Sequence, residues 1–144
     1  MKIIFIFFVF FSLNKSLASN IGKETGLEIP RYVSIKSDNA NIRVGPSRNY
    51  PINIKYIIKN LPIKIIDEYN DWRKVEDFEN NLGWIHKSLI KGERHGIIKS
   101  NETESIIIYN SSDGIPIGEI NRGNIVKLKN CKIDWCYIIF ERYK

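Results

Sequence analysis

The stretch Leu61–Ile90 begins Leu-Pro-Ile-Lys-Ile-Ile-Asp-Glu-Tyr-Asn-Asp-Trp-Arg-Lys-Val and, after a polar break, ends Gly-Trp-Ile-His-Lys-Ser-Leu-Ile. Apolar residues alternate on both sides of Asn70 and Asp71, two residue types that favour tight turns. Gly83 opens the last part, where the alternation resumes. The pattern predicts two β-strands folded about this turn and a third strand entered through Gly83.

Residues 32–58 carry the same period-two pattern upstream. Isoleucines and tyrosines alternate with polar residues, and Gly45-Pro46-Ser47 supplies a turn between two strands. No apolar stripe with helical spacing extends over ten residues. Short strands at close spacing are typical of a small β-barrel, so the sequence predicts an all-β fold.

A sequence pattern similar to that of the first stretch recurs downstream. A shift of 63 residues places Asp71-Trp72 on Asp134-Trp135, and apolar positions coincide with apolar positions around both pairs. Such agreement is what a repeated strand pair requires. No counterpart of Gly83-Trp84 follows the second pair. Either the sequence is a fragment, or the second barrel lacks its closing strand and has an unpaired edge.

The N-terminus predicts export. Lys2 precedes an unbroken apolar run, and Ser16-Leu17-Ala18 offers the small residues that signal peptidase recognises, so cleavage before Ser19 is expected. The run is too short to span about 30 Å of hydrocarbon as a helix. We therefore expect a protein of the periplasm or a secreted protein, not membrane-spanning after cleavage. An uncleaved membrane anchor is the alternative.

These patterns divide the chain into five predicted parts. They are a signal peptide at 1–18, a flexible leader at 19–31, a first small barrel at 32–90, a polar linker at 91–105, and a second, incomplete barrel at 106–144.

Charge and composition narrow the class of partner. The chain has 22 Lys and Arg against 16 Asp and Glu, a formal net charge of +6, which falls to +4 once Lys2 and Lys15 leave with the signal peptide. A mildly basic exported protein suits anionic polymers or carboxylate-bearing peptides. Because the basic residues are scattered singly, we expect no nucleic-acid partner.

Three motifs of the first barrel resemble the bacterial SH3 (SH3b) family. They are Asn-Ile-Arg-Val-Gly-Pro-Ser at 41–47, Trp-Arg-Lys-Val at 72–75, and Gly-Trp-Ile-His-Lys-Ser-Leu at 83–89. The longer form, Arg-Val-Gly-Pro-Ser-Arg-Asn-Tyr-Pro-Ile followed by a second copy with C-x4-C, is similar to exported tandem SH3-like proteins of alphaproteobacteria. Ser47-Arg48 replaces a Gly that is common in relatives.

The resemblance implies two tandem SH3-like barrels and a non-catalytic binding protein of the cell envelope. Many SH3b modules bind peptidoglycan or its stem peptides, so peptidoglycan or envelope peptides are the expected partners. A protein-interaction adaptor that docks on an envelope enzyme or a host protein is the alternative. The eukaryotic SH3 pattern Ala-Leu-Tyr-Asp-Tyr is absent, so proline-rich ligands are not implied.

Cys131 and Cys136 are the two cysteines, on opposite arms of a predicted hairpin. Facing strand positions lie close enough for a disulfide, which is the default pairing in an oxidising compartment. The 63-residue shift places the cysteines on Glu68 and Arg73, for which we expect an exposed ion pair of about 0.2–1 kcal/mol. Zinc binding would also need two histidines at a spacing that fits no zinc pattern, so no metal or cofactor is expected.

The candidate binding residues are aromatic and basic side chains of the first barrel that a small barrel could bring to one groove: Arg43, Tyr50, Tyr56, Trp72 and Arg73. The alternative is that the two arginines only pair with Glu68 or Asp71. Trp84, inside an alternating strand, is expected in the core. No nucleophile, carboxylate pair or phosphate loop has a recognisable spacing, so the chain is not expected to be an enzyme.

Overall fold

The computed structural model describes residues 20–100, 103–132 and 134–140, so the predicted signal peptide lies outside the described residues. Within them the chain is all-β, which confirms the predicted fold class. The fourteen strands are β1 (Asn20–Ile21), β2 (Glu28–Ile29), β3 (Arg31–Ile35), β4 (Ala40–Arg43), β5 (Ile52–Tyr56), β6 (Pro62–Tyr69), β7 (Trp72–Glu76), β8 (Leu82–His86), β9 (Ile90–Lys91), β10 (His95–Ile97), β11 (Ser105–Tyr109), β12 (Pro116–Asn121), β13 (Ile125–Cys131) and β14 (Cys136–Ile139). A 3₁₀ turn, Lys87–Leu89, joins β8 to β9.

The first unit is a seven-stranded sheet in the order β5-β4-β8-β7-β6-β3-β9. The predicted turn at Asn70 and Asp71 joins β6 to β7, and both strands pair in an antiparallel ladder. Alternate positions of the strands face one apolar cluster. Its largest fully buried side chains are isoleucines that share the inner face: Ile35, Ile42, Ile63, Ile65 and Ile85.

Gly83 decides which face of β8 is turned inward. A Cβ at this residue would lie 2.3 Å from Cγ2 of Ile42 and 3.0 Å from the carbonyl oxygen of Arg43. Because only glycine tolerates this approach, Gly83 and Ile85 face the core, and the residues between and after them face outward. The prediction that Trp84 belongs to the core is therefore wrong; its side chain is half-buried on the outer face, opposite Arg43.

The second unit comprises β10 to β14 in two sheets, β10-β13-β14 and the β11-β12 hairpin. A small cluster of Ile98, Ile120 and Val126 forms its core. In the described residues no strand joins β11 to β14. This unit is therefore not closed in the way that β8 closes the first.

Strand pairings of the two units coincide at the 63-residue shift. Val33 pairs with Ile63 in the first unit, and Gly96 pairs with Val126 in the second. The residues two positions before β6 and before β13 both have left-handed backbone angles, with φ of 67° at Asn60 and 86° at Gly123. The connection between β11 and β12 is shorter than that between β4 and β5, and both hairpins have a register shift, between Ile108 and Tyr109 and between Ile42 and Arg43.

Two segments predicted to lack regular structure carry strands. Residues 20–29, in the predicted flexible leader, form the β1-β2 hairpin. Residues 95–97, in the predicted linker, form β10, which pairs with β13. The hairpin also donates hydrogen bonds to Glu68, and β10 pairs with β13. These partners lie far along the chain, so the spacing of apolar residues within each segment does not predict them.

The two units contact each other beside β3 and β10. Ile97 and Ile125 of the second unit pack against the apolar cluster of the first. The hydroxyl of Ser34 on β3 lies 2.8 Å from Nδ1 of buried His95 on β10. Burial lowers the pKa of His95, so the neutral imidazole is favoured at this junction.

Candidate functional site

A groove crosses the outer face of the first unit at one end of β4, β7 and β8. It consists of two depressions of about 360 and 290 Å³ that share Arg48, Trp72 and His86. The residues that line one or both are Asn41, Arg43, Pro46, Ser47, Arg48, Asn70, Asp71, Trp72, His86, Ser88 and Leu89. We call this set the ligand groove.

Trp72 and His86 form the aromatic wall of the ligand groove. They face each other across the β7-β8 ladder. Their rings contact edge to face, with centroids 5.4 Å apart and an interplanar angle of 82°. Only 9% of Trp72 is exposed, so the indole presents one part of its ring to a ligand and is otherwise fixed by packing.

The tautomer of His86 follows from its contacts with Ser88. The backbone N–H of Ser88 donates to Nδ1 at 3.3 Å, and the Ser88 hydroxyl lies 2.8 Å from the same nitrogen. Because Nδ1 accepts, the neutral ring carries its hydrogen on Nε2. His86 is thereby assigned as a hydrogen-bond donor through Nε2.

Charge in the ligand groove is predominantly positive. Arg43 donates from Nη1 to the carbonyl oxygen of Tyr50 at 2.6 Å, which fixes the guanidinium beside the turn. Arg48 is exposed and has no hydrogen-bond or ion-pair partner among the described residues. The acid of the groove, Asp71, pairs with Nζ of Lys87 at 2.8 Å, and this hydrogen bond lowers the pKa of Asp71. In the part of the chain that the structure describes, two guanidiniums therefore remain without a carboxylate partner.

Of the five predicted binding residues, the structure brings Arg43 and Trp72 together in the ligand groove. Tyr50 lies beside it: the ring covers Gly45, where a Cβ would come within 2.6 Å of the tyrosine. Tyr56 lies elsewhere, with its ring against the core and its hydroxyl donating to the carboxylate of Asp77. Burial and this hydrogen bond raise the pKa of Tyr56.

Arg73 is also outside the ligand groove, because it faces inward. Its Nε lies 3.5 Å from Oε1 of Glu68, and its Nη1 donates to the carbonyl oxygens of Asn70 and Trp72 at 2.8 Å. Both side chains are nearly inaccessible, with 6% and 0% exposed. The expected exposed ion pair is therefore a buried one, and Arg73 has a structural partner rather than a ligand.

The N-terminal hairpin covers Glu68. The backbone N–H groups of Glu24 and Thr25 donate to Oε2 at 3.0 and 2.9 Å, and Arg31 donates to Oε1 at 2.7 Å. Burial opposes ionisation of Glu68, but these hydrogen bonds outweigh it and hold the pKa of the carboxyl at about 2. The N-terminal hairpin is thus held in place by the Glu68 carboxylate, which it also shields from solvent.

Sequence reasoning missed Asn41, Arg48, His86 and Ser88. Alternation contains the signal for two of them: Asn41 shares the outer face of β4 with Arg43, and His86 shares the outer face of β8 with Trp84. Alternation identifies these residues only when the inner face of the strand is known. On β8 the close approach of Gly83 to Ile42 decides that face. Arg48 lies in a loop, where period-two spacing carries no information.

The predicted disulfide is confirmed. Cys131 and Cys136 face each other across the β13-β14 ladder and are bonded, with Cα atoms 4.0 Å apart. Among the described residues no group of three or more His, Cys, Asp or Glu side chains could hold a metal ion.

Comparison with protein families agrees with the motifs of the first unit. A family model described as bacterial SH3 domain matches residues 36–92. This range begins directly after β3, runs through β9 and contains every residue of the ligand groove. Residues 36–92 form a bacterial SH3 domain.

Bacterial SH3 domains are typically binding modules, many of them related to the cell wall. No curated protein matches the chain significantly. Within residues 20–100, 103–132 and 134–140, none of the helical structure is long and apolar enough to cross a bilayer.

Proposed function

We propose that the chain is an exported, non-catalytic protein whose bacterial SH3 domain binds peptidoglycan or envelope peptides in the ligand groove. The observation that carries the proposal is the convergence of Trp72 with the guanidiniums of Arg43 and Arg48, neither of which has a carboxylate partner among the described residues. A guanidinium binds a carboxylate with two parallel hydrogen bonds. An indole offers apolar area to a peptide or sugar.

Peptidoglycan stem peptides fit this arrangement chemically, because they carry carboxylates, amide groups and short apolar side chains. The carboxylate would meet Arg43 and Arg48, while the Nε2–H of His86 and the amide of Asn41 would meet peptide groups. Asp71 would not repel the ligand, since Lys87 neutralises it.

The disulfide supports a location in the periplasm or outside the cell. Disulfides form and persist in oxidising compartments and are rare in the cytosol. The proposal therefore includes removal of residues 1–18 by signal peptidase. N-terminal sequencing of the protein purified from its own cells would then begin at Ser19; a sequence beginning at Met1 would contradict export by this route.

The binding proposal is tested by co-sedimentation with purified cell-wall sacculi. We expect the Arg43→Ala/Arg48→Glu variant to lose about tenfold or more in affinity, since two charge-assisted contacts are removed. Arg94→Glu is the control, because Arg94 is exposed and lies outside the ligand groove. No sedimentation of the unaltered protein, or equal losses in both variants, would contradict the proposal.

The second candidate function is an adaptor that docks on an envelope enzyme or a host protein. Exposed apolar side chains of the second unit favour it, among them Ile117 and Tyr137. Crosslinking in cells separates the two functions. An adaptor yields one dominant protein partner and little glycan, whereas a cell-wall binder yields glycan-linked products.

A further inference from the structure

The contact between the two units contains a buried histidine. His95 on β10 is 7% exposed, and Ser34 on β3, which faces it, is fully buried. Two residues further along β10, Ile97 pairs with Ile125, and both pack against the apolar cluster of the first unit. The units are thus held together by an apolar pair and by a polar cluster of Ser34, Glu93 and His95, which we call the joint.

The hydrogen bonds of the joint determine where the neutral ring of His95 carries its hydrogen. The Ser34 hydroxyl donates to the carbonyl oxygen of Glu93 at 2.7 Å and lies 2.8 Å from Nδ1 of His95. Because the hydroxyl has one hydrogen and the carbonyl oxygen can only accept, Nδ1 of His95 donates to the hydroxyl oxygen. The nitrogen that takes up a proton in acid is therefore Nε2.

Two lysines and one carboxylate lie beside the imidazole. Lys127 on β13 faces His95 across the ladder, and Lys91 lies on β9. Nζ of each lysine is 3.0 Å from a carboxylate oxygen of Glu93. The carboxylate is therefore already shared by two cations, and a proton on His95 would add a third positive charge to this group.

The other elements beside β10 do not offset this charge. β3 faces the ring with the uncharged Ser34. β6 also contacts β10, and the first half of β6, residues 62–65, contains one charged residue, Lys64, which pairs with Glu76 at 2.9 Å. Arg94, which directly precedes the histidine, is a further cation. In the described part of the chain, these elements therefore supply no unpaired acid to the ring.

The packed arrangement of the units favours the neutral imidazole. Burial, and after it the charge of Lys91, lower the pKa of His95 below its ordinary value, although Glu93 acts in the opposite direction. In water the pKa of a histidine is about 6.5. Below this pH, separated units therefore bind more protons than packed ones, so acid favours separation. Glu93 stays ionised over this interval, since its two lysines hold its pKa at about 2.

The segment between the units permits them to separate. β9 belongs to the sheet of the first unit and β10 pairs with β13 of the second, so residues 92–94 are the connection. A Cβ at Gly92 would have no side chain or main chain from elsewhere in the described chain within 4 Å. Each unit has its own apolar cluster, and the second also has its disulfide. Each unit therefore keeps a core when the joint opens.

We propose that the joint is an acid-sensitive connection: the two units form one body while His95 is neutral, and separate, each still folded, when Nε2 takes up a proton. One proton accompanies separation, so the ratio of separated to packed protein should rise at most about tenfold for each pH unit below about 6.5. The rise ends below the pKa that His95 has in the packed protein. Separation exposes Ile97 and Ile125 and changes the position of the second unit relative to the ligand groove.

The test follows backbone ¹⁵N relaxation of the purified protein as the pH is lowered. At about pH 7.5 we expect one rotational correlation time for both units, and at about pH 5 two shorter times, because each unit then tumbles separately. The chain has two histidines, so the ring resonance of His95 can be followed in the same samples. The midpoint of its titration should coincide with the midpoint of separation.

His95→Asn removes the titratable group and retains a hydrogen-bond donor. The Asn carboxamide can donate to Ser34 in place of Nδ1 but takes up no proton, so this variant should keep one correlation time at about pH 5. His86→Asn is the matched control, since it removes the other histidine, which lies in the ligand groove, and should separate as the unaltered protein does.

Three kinds of result would overturn the proposal. One is a single correlation time throughout the titration of His95. Another is separation whose midpoint does not follow the His95 resonance, or equal separation of His95→Asn and the unaltered protein. The third is loss of the dispersed amide signals of either unit in acid, which would mean that protonation unfolds that unit instead of opening the joint. If His95→Asn does not fold, the two midpoints of the unaltered protein decide.

Discussion

The β6-β7 ladder and the β13-β14 ladder have facing pairs at the same positions beside their turns. The side chains of these pairs are joined by different chemistry. Glu68 faces Arg73 across the first, and Cys131 faces Cys136 across the second. The difference follows from what covers each place. The N-terminal hairpin buries Glu68, whereas both cysteines are exposed.

A buried carboxylate must be satisfied by donors, and the hairpin supplies them. A Cβ at Gly22 would lie 2.5 Å from the Glu68 carboxyl group, so the chain passes directly over the charge. At an exposed place an ion pair would contribute about 0–1 kcal/mol. A disulfide does not depend on burial, which suits a turn whose cysteines are exposed.

The largest expected effect is that of Glu68→Ala. It leaves the guanidiniums of the partly buried Arg31 and the buried Arg73 without their carboxylate, and we expect the first unit to lose about 3–5 kcal/mol in free energy of unfolding. Glu76→Gln is the matched control, because the Lys64–Glu76 pair is partly exposed and its loss should cost less than about 1 kcal/mol. Urea unfolding followed by tryptophan fluorescence in a Trp135→Phe background measures both.

The pH dependence of stability checks the same carboxyl group. The pKa of Glu68 lies at about 2 in the folded chain, below its ordinary 4.5, so its stabilising contribution is complete above pH 4.5 and is lost as pH falls towards 2. The Glu68→Ala variant should show a shallower loss over this interval. Parallel curves for the two proteins would mean that Glu68 is not the group responsible.

Gly83→Ala tests the packing of β8 against β4. Its Cβ would meet Ile42 and a backbone carbonyl that cannot rotate away, so we expect a loss of about 3 kcal/mol, the upper end of the usual cost of overpacking. Gly118→Ala on β12 should change stability by less than about 0.5 kcal/mol, since its Cβ would make an ordinary 3.8 Å contact with Ile108. Equal losses would show that β8 is not packed as described.

The disulfide gives the smallest of the three effects. Cys131→Ser with Cys136→Ser should lower the stability of the second unit by about 2 kcal/mol, as expected for a short closed loop. Trp135 fluorescence reports this unit, and the first unit, followed in Trp135→Phe, should unfold as before. A matching loss in the first unit would instead show that the two units unfold together through the contact between β3 and β10.

Much of the ligand groove could not be predicted from spacing. Arg43 and Trp72 are among the aromatic and basic residues that a small barrel is expected to bring to one groove, and both line it. Tyr56 and Arg73 were assigned to the groove wrongly, since each occupies a strand position whose side chain turns to another part of the molecule. Arg48 was not predicted, because only the fold of its loop places it beside β7.

The sequence by itself determined most strands of the first unit, the turn at Asn70 and Asp71, the 63-residue shift and the pairing of the two cysteines, because these depend on alternation and on neighbours across one hairpin. Only the tertiary structure decided which face of β8 turns inward, what covers Glu68, and which cations meet Trp72. The physical reason is that alternation defines two faces of a strand, while the segment that covers each face comes from elsewhere in the chain. The bacterial SH3 domain and the second unit therefore share their ladders and differ in what lies against them.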